Sequence, residues 1–432
     1  MNRPLNRRLV WLLIAGCSLF APGLLSAQID LQAIQARGLQ VTRSPHLTLI
    51  TDVRDRQDVA EFNDVFEAAV QQWCRYFQVP EDAVKDWHLI GCIIRDPNQT
   101  QVFTDAGLFP DDLPPFPAGY QLGSNFWVFL QDGDYYTRHL LIHEGTHAFM
   151  EKFLGGYGAP WYSEGMAELL GLHRWQDQQL SMNHQVESSD EVPFWGRVKL
   201  IRKAHAVEQG KTLNEVLEME NKSFREVDAY AWAWALCQFL DRHPEYQKRF
   251  RKLPAIASLS PAEFNQKFRE AWGEDWPDAA QQWLNLVTEM EYGYDVVAAT
   301  PTPLSGTSTA QGATRFEVAV NRGWQETGIL VESGERIRIT AEGLYRVKQD
   351  TQAWPCDAGG ITIEYYAGRP LGRLIAAIRT PKNDFLKIID VGRSQEIICD
   401  SGGQLLLRIN ESPAAWADNQ GQLKVTVEAL SD

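Results

Sequence analysis

The chain has 432 residues, more than one hydrophobic core usually serves, so two domains are the starting expectation. It is 44% hydrophobic and 11% aromatic, which excludes wholesale disorder. A formal net charge of −15 without a basic cluster excludes a nucleic-acid binder, because neutralising phosphates takes clustered Lys and Arg; the acidity serves solubility.

The chain opens with a targeting pattern. Arg3, Arg7 and Arg8 precede an apolar run over residues 9–20 that is too short to span a bilayer. Pro22-Gly23 and the small residues up to Ala27 follow, so residues 1–27 read as a signal peptide cut before Gln28. Ile14-Ala15-Gly16-Cys17 resembles a lipobox, which makes lipid anchoring through Cys17 the alternative. Either route places the protein in the periplasm or outside the cell. No later stretch is long and apolar enough to form a transmembrane helix.

Residues 46–53 read as a strand, and 58–77 as a helix from the spacing of Val59, Phe62, Phe66, Trp73 and Phe77. Strands are predicted over 87–94 and 125–130, with a proline-rich loop over 109–117 between them. A long helix is predicted over 135–154, stopped by Gly155-Gly156, and helices dominate from 161 to about 294. Residues 28–298 therefore form one α+β domain, a small sheet followed by a helical bundle. Residues 299–312 are small, polar and proline-bearing, as linkers are. Strands predicted over 336–341, 361–366, 371–378, 404–409 and 423–427 make 313–432 a β-sandwich.

Five cysteines follow the targeting segment, none in a C-x-x-C pair, which argues against a structural zinc knuckle. Cys74 with Cys92 and Cys356 with Cys399 are available as disulfide pairs, and Cys237 reads as a buried thiol.

His143-Glu144-Gly145-Thr146-His147 is an H-E-x-x-H motif inside the 135–154 helix. One helical turn apart, His143 and His147 point the same way and can bind one Zn²⁺, with Glu144 placed to act as general base. The segment Pro160-Trp161-Tyr162-Ser163-Glu164-Gly165-Met166-Ala167-Glu168 begins another helix with Glu164 and Glu168 on one face. One carboxylate can complete the ligand set, while the other accepts a hydrogen bond from a ligand histidine. His139, one turn before His143, is assigned a supporting role, and His173, His184 and His205 lack ligand spacing.

Together the two segments resemble the gluzincin metallopeptidases, in particular the compact bacterial peptidase MA-like families. The resemblance is sharp over about residues 136–175 and loose elsewhere in the first domain. It implies Glu164 as the third zinc ligand and Glu168 as its supporting carboxylate. It also implies an oxyanion-stabilising side chain from a later helix, for which Tyr230 is the candidate, and a cleft-lining edge strand at 125–130. The G-x-M-x-N exopeptidase segment is missing, which favours an endopeptidase over an aminopeptidase.

Residues 313–430 resemble the β-sandwich of bacterial calcium-dependent galactose-binding lectins, through Trp324 to Gly328 and the Asp418-Asn419-x-Gly421 loop. The resemblance implies Ca²⁺ ligands at Glu411, Asp418 and Asn419, and a carbohydrate or cell-surface partner; a hydroxyl ligand of those lectins is Ala415 here. The expectation is an exported zinc metallopeptidase acting on peptide or protein substrates. The alternative is a catalytically silent, zinc-containing carbohydrate- or surface-binding protein.

Overall fold

The computed structural model describes residues 30–430, apart from 55, 99, 111–112, 310–311, 350–352 and 383–384. The targeting segment, with Cys17 and the Ala27 cleavage site, lies outside the described residues. The molecule is α+β, with a strand-rich C-terminal part. No helix among the described residues is long and apolar enough to cross a membrane.

The first part is built on a mixed sheet of β1 (Gln40–Arg43), β2 (Leu47–Thr51), β3 (Leu89–Ile94), β4 (Gly119–Leu122) and β5 (Asn125–Phe129), in the order β1-β2-β3-β5-β4. The central β2, β3 and β5 are parallel, while β1 and β4 close the two edges antiparallel. Side chains alternate across the sheet. Leu47, Leu89, Ile93, Phe126 and Val128 face the main core. Ile50, Cys92, Ile94 and Trp127 face a smaller cluster with Phe103.

Seven helices of ten residues or more accompany the sheet among the described residues, the first between β2 and β3 and the rest after β5: α1 (Arg56–Phe77), α2 (Asp134–Phe149), α3 (Pro160–Gly171), α4 (Arg197–Ala206), α5 (Val227–Arg242), α6 (Pro261–Trp272) and α7 (Trp276–Glu289). In α1 the buried Phe62, Phe66, Ala69, Trp73 and Phe77 fall at three- and four-residue steps, so one stripe faces the core. Helix α2 is buried nearly all round, as a central helix must be. It runs into a single π turn, Met150–Leu154, ended by Gly155 in the left-handed region at φ 75°. Pro160 starts α3 at the position where a missing N–H costs nothing. The largely helical stretch after residue 161 is interrupted by a hairpin, β6 (His173–Gln176) with β7 (Gln179–Met182).

The stretch expected to be a linker is part of the C-terminal sheets. It carries β8 (Thr302–Pro303), which pairs with β11 (Gln325–Val331), and β9 (Thr307–Ser308), which pairs with β10 (Thr314–Ala319). The remaining strands are β12 (Arg336–Glu342), β13 (Tyr345–Gln349), β14 (Ala353–Cys356), β15 (Ile361–Tyr366), β16 (Arg369–Leu371), β17 (Leu374–Arg379), β18 (Ile389–Asp390), β19 (Ser394–Ile398), β20 (Gly403–Ile409) and β21 (Gln422–Ala429). Two five-stranded sheets result, β19-β12-β21-β10-β9 and β18-β17-β20-β11-β8. Ile339 and Val425 from one meet Ala376 and Leu407 from the other in a shared core. The run expected at 371–378 divides into β16 and β17, with Gly372 between them at φ 77°.

The five cysteines among the described residues are free and buried, so neither of the two available disulfide pairs forms. Cys74 lies in the main core while Cys92 faces the other side of the sheet. Cys356 pairs with Tyr345, just beyond one end of β12, whereas Cys399 bonds Glu335 just before the other. The seven residues of β12 keep that pair roughly 20 Å apart at about 3.3 Å per residue.

Candidate functional site

Helix α2 presents His143 and His147 on one face, and α3 crosses it with Glu164 opposite them. His143 Nε2 and His147 Nε2 are 3.2 Å apart, and Glu164 Oε2 lies 3.4 Å from the first and 3.3 Å from the second. Three donor atoms thus form a nearly equilateral triangle. A tetrahedral zinc site with bonds of about 2.0–2.1 Å has ligand–ligand edges of about 3.3–3.4 Å, so the donor set fits that ion in chemistry and in spacing.

Two glycines let the helices come this close. A Cβ at Gly145, inside the motif, would run into Trp73 and Phe66 of α1. A Cβ at Gly165, directly after Glu164, would strike the Ala233 carbonyl and the Cys237 sulfur on α5. Their small size is what seats α2 on α1 and α3 on α5.

Behind the triangle, Glu168 is buried with its oxygens fully engaged. Arg197 of α4 donates to Oε1 at 2.9 Å and to Oε2 at 3.1 Å, and Trp195 Nε1 donates to Oε2 at 3.0 Å. Burial opposes ionisation of Glu168, but the Arg197 guanidinium, with His139 beyond it, holds the carboxyl well below its usual range. Glu168 Oε1 is 3.7 Å from His143 Nδ1, too long for the hydrogen bond expected there. His139 Nε2 lies 3.5 Å from Glu168 Oε2. A second cluster, His139, His143 and Glu168, has donor atoms close enough to hold an ion. Arg197 already neutralises its only carboxylate, and its charge opposes a cation there. Of these two clusters among the described residues, the outer triangle is the fitting metal site. His147 Nδ1 has a partner that the sequence reading missed, Ser163 Oγ at 3.3 Å.

Glu144 points away from this interior and against β4, where a Cβ on Gly119 would meet its carboxylate. Burial raises its pKa to about 8, opposed by His147 and reinforced by Glu164. A carboxyl in that range exchanges protons near neutral pH. Tyr230 of α5 stands beside His143 with ring centroids 6.1 Å apart, and burial together with Glu164 and Glu144 keeps it a neutral phenol. A second tyrosine, Tyr157, flanks His147 at 6.0 Å. Its hydroxyl donates to Gln121 Oε1 at 3.1 Å, and Gln121 Nε2 donates to Glu151 Oε2 at 2.7 Å. This latch joins β4 to the π turn that follows the motif.

His143, Glu144, His147, Glu164 and Tyr230 open together onto a cleft of about 810 Å³, walled by β4 on one side and by Asn221, Phe224, Arg225 and Pro261 on the other. The edge strand of this cleft is β4, not the expected 125–130 segment: β5 lies inside the sheet, between β3 and β4. Four residues after a proline-rich loop carry too little alternation to be read as a strand, and only pairing with β5 defines them.

The structure also joins two of the three residues expected to hold calcium. Glu411 is hydrogen-bonded by Asn419 Nδ2, which also donates to the Val320 carbonyl at 2.8 Å. The Asn419 amide N–H thus ties the loop to the end of β10, while its Oδ1 is buried without a hydrogen-bond partner among the described residues. Asp418 ends a short 3₁₀ turn, Trp416–Asp418.

No family model and no curated protein matches this chain. Among solved structures, 87 chains are similar. One is described as "EclA N-terminal domain; PllA-like lectin", 23% identical over 29% of this chain and 98% of that one, with a TM-score of 0.23. Likeness at that level carries no argument about function.

Proposed function

We propose that this chain is an exported metal-dependent hydrolase that cleaves peptide bonds at the His143–His147–Glu164 centre. The observation that carries the reading is the 3.2–3.4 Å triangle of three donor atoms, with Glu144 beside it in an open cleft. Zn²⁺ bound by these three residues would supply Lewis acidity and acidify water at the site.

The chain's own groups account for the remaining work. Glu144 accepts the proton of the attacking water and returns it to the leaving amine nitrogen as the C–N bond breaks. Tyr230, kept a neutral phenol, donates toward the oxygen that gains charge. Glu168, ionised by Arg197, offsets positive charge behind His143. β4 is an edge strand and supports binding of an extended peptide by strand addition. Export rests on the opening segment of the sequence.

The test is metal content by mass spectrometry together with turnover of a mixed fluorogenic peptide library. About one zinc per chain is expected, lost in Glu164→Ala. Glu144→Gln should keep the metal and lose on the order of 10²–10⁴-fold in turnover, the usual worth of a positioned general base. Undiminished hydrolysis by Glu144→Gln would overturn the mechanism. Sugar affinity without hydrolysis of any peptide would favour the binding-protein alternative.

A further inference from the structure

A second cleft, of about 700 Å³, lies along α4, away from the histidines. Its walls are apolar, formed by Val192, Val198 and Tyr292, and its rim is cationic, formed by Lys199, Arg202 and Lys203. The sequence has no basic run long enough to suggest nucleic acid, but helical spacing gathers these three cations on one face.

Two local costs coincide here. Lys199 and Lys203 are four residues apart on a helix, with Arg202 three from Lys199, an arrangement in which like charges repel. Among the described residues none of the three forms a salt bridge; Glu291, whose charge reaches Arg202, is engaged by Ser412. The second cost is Phe194, on the rim. It is 68% exposed and holds φ at 67°, a conformation that bulky side chains rarely adopt.

We propose that this groove binds an acidic peptide segment with interleaved apolar side chains, carboxylates meeting the cationic rim and apolar groups entering between Phe194 and Tyr292. The chemistry favours a peptide over the other anionic polymers. Three cations are few for a phosphate track, and a receding apolar wall is of no use to a flat anionic membrane. An acidic partner also meets a cationic groove in a chain whose net charge is −15.

The groove lies near the start of the catalytic helix. A Cβ on Gly133, the N-cap of α2, would sit 3.2 Å from the Phe194 ring. His143 is ten residues further on, about 15 Å along the axis at 1.5 Å per residue. Because α2 itself is buried, a substrate held at both places would run over the surface and needs at least about five extended residues. This use of the groove, as a second hold on substrate, rests on the hydrolase reading; acidic-peptide binding does not.

The experiment is fluorescence anisotropy with a labelled decapeptide of alternating Glu and Leu, titrated with protein carrying Glu144→Gln so that nothing is turned over. Its Lys/Leu counterpart and dextran sulfate serve as comparisons. The acidic peptide should bind at least about tenfold more tightly than the basic one, and more weakly as salt is raised. Lys199→Glu with Lys203→Glu should weaken it about tenfold, and Phe194→Ala severalfold, with metal content unchanged. If the charge reversal misfolds the protein, Lys199→Ala alone should still weaken binding measurably. Equal affinity for the two peptides, or affinity unmoved by these substitutions, overturns the proposal, and tighter binding of dextran sulfate reassigns the groove to polysaccharide. Charge-dependent peptide binding by a protein whose Glu144 form hydrolyses nothing would leave the groove standing and remove the hydrolase reading.

Discussion

Glu168 accepts three hydrogen bonds from Arg197 and Trp195 at the floor of the site, which makes its ionised form the resting one. A neighbouring residue shows the opposite balance. His173 stacks on Tyr135 at 4.6 Å with rings 3° apart, and burial, aided by Arg138 and resisted by the Gly171 carbonyl, lowers its pKa to about 3. Between that value and the ordinary 6.5 the unfolded chain binds a proton that the folded chain refuses, so stability falls as pH falls through this window and is flat above it. Denaturant titrations of metal-free protein at pH 7 and pH 4.5 should show His173 costing roughly 2–3 kcal/mol at the lower pH. His173→Gln should flatten that part of the slope. An unchanged slope would mean that His173 is protonated in the fold.

At the scale of elements, the site is a contact between α2, α3 and β4, and two glycines test its parts separately. Gly145→Ala pushes a methyl into Trp73 and Phe66, both fully buried, and should cost about 1–3 kcal/mol in denaturant unfolding. Gly119→Ala meets only the far end of the Glu144 side chain, which can swing aside. Stability should hardly change there, while turnover falls with the displaced base. A Gly119→Ala variant with full turnover would show that the approach of β4 to Glu144 has no part in the chemistry. The Gln121–Tyr157–Glu151 latch belongs to the same contact, since it ties the edge strand to the π turn that continues the histidine-bearing helix.

At the scale of the whole molecule, the helical and strand-rich parts meet through a buried ion pair. Arg408 of β20 donates bidentately to Glu289 of α7, with Nη1 at 3.0 Å from Oε2, and its guanidinium lies over the rings of Trp324 and Trp416 at 4.4 and 5.6 Å. Arg379 reaches Asp278 across the same junction at 3.0 Å. Removing one member strands the other in a poorly solvated place, so Arg408→Met should cost about 3–5 kcal/mol. Pairing it with Glu289→Met should recover much of that loss, because an apolar pair leaves no charge behind. Equilibrium unfolding followed by tryptophan fluorescence and far-ultraviolet circular dichroism reads both, and a single variant as stable as the parent would show that the junction contributes little.

The sequence by itself determined what depends on near neighbours. Four-residue spacing on a helix settles that His143 and His147 share a face with Glu144 beside them, and five alternating runs settle the strand-rich C-terminal part. Tertiary packing decided whatever depends on distant partners. Glu164 and Glu168 share a helix face in the sequence, and only the crossing of α3 over α2, with Arg197 arriving from α4, turns one toward the histidine pair and commits the other to a guanidinium. The same holds for β4, defined by its pairing with β5, for the cysteines, separated by sheet faces and strand length, and for the supposed linker, captured by two sheet edges. Periodicity encodes which way a side chain leaves its own element; what it meets there is set by the packing of elements far apart in the chain.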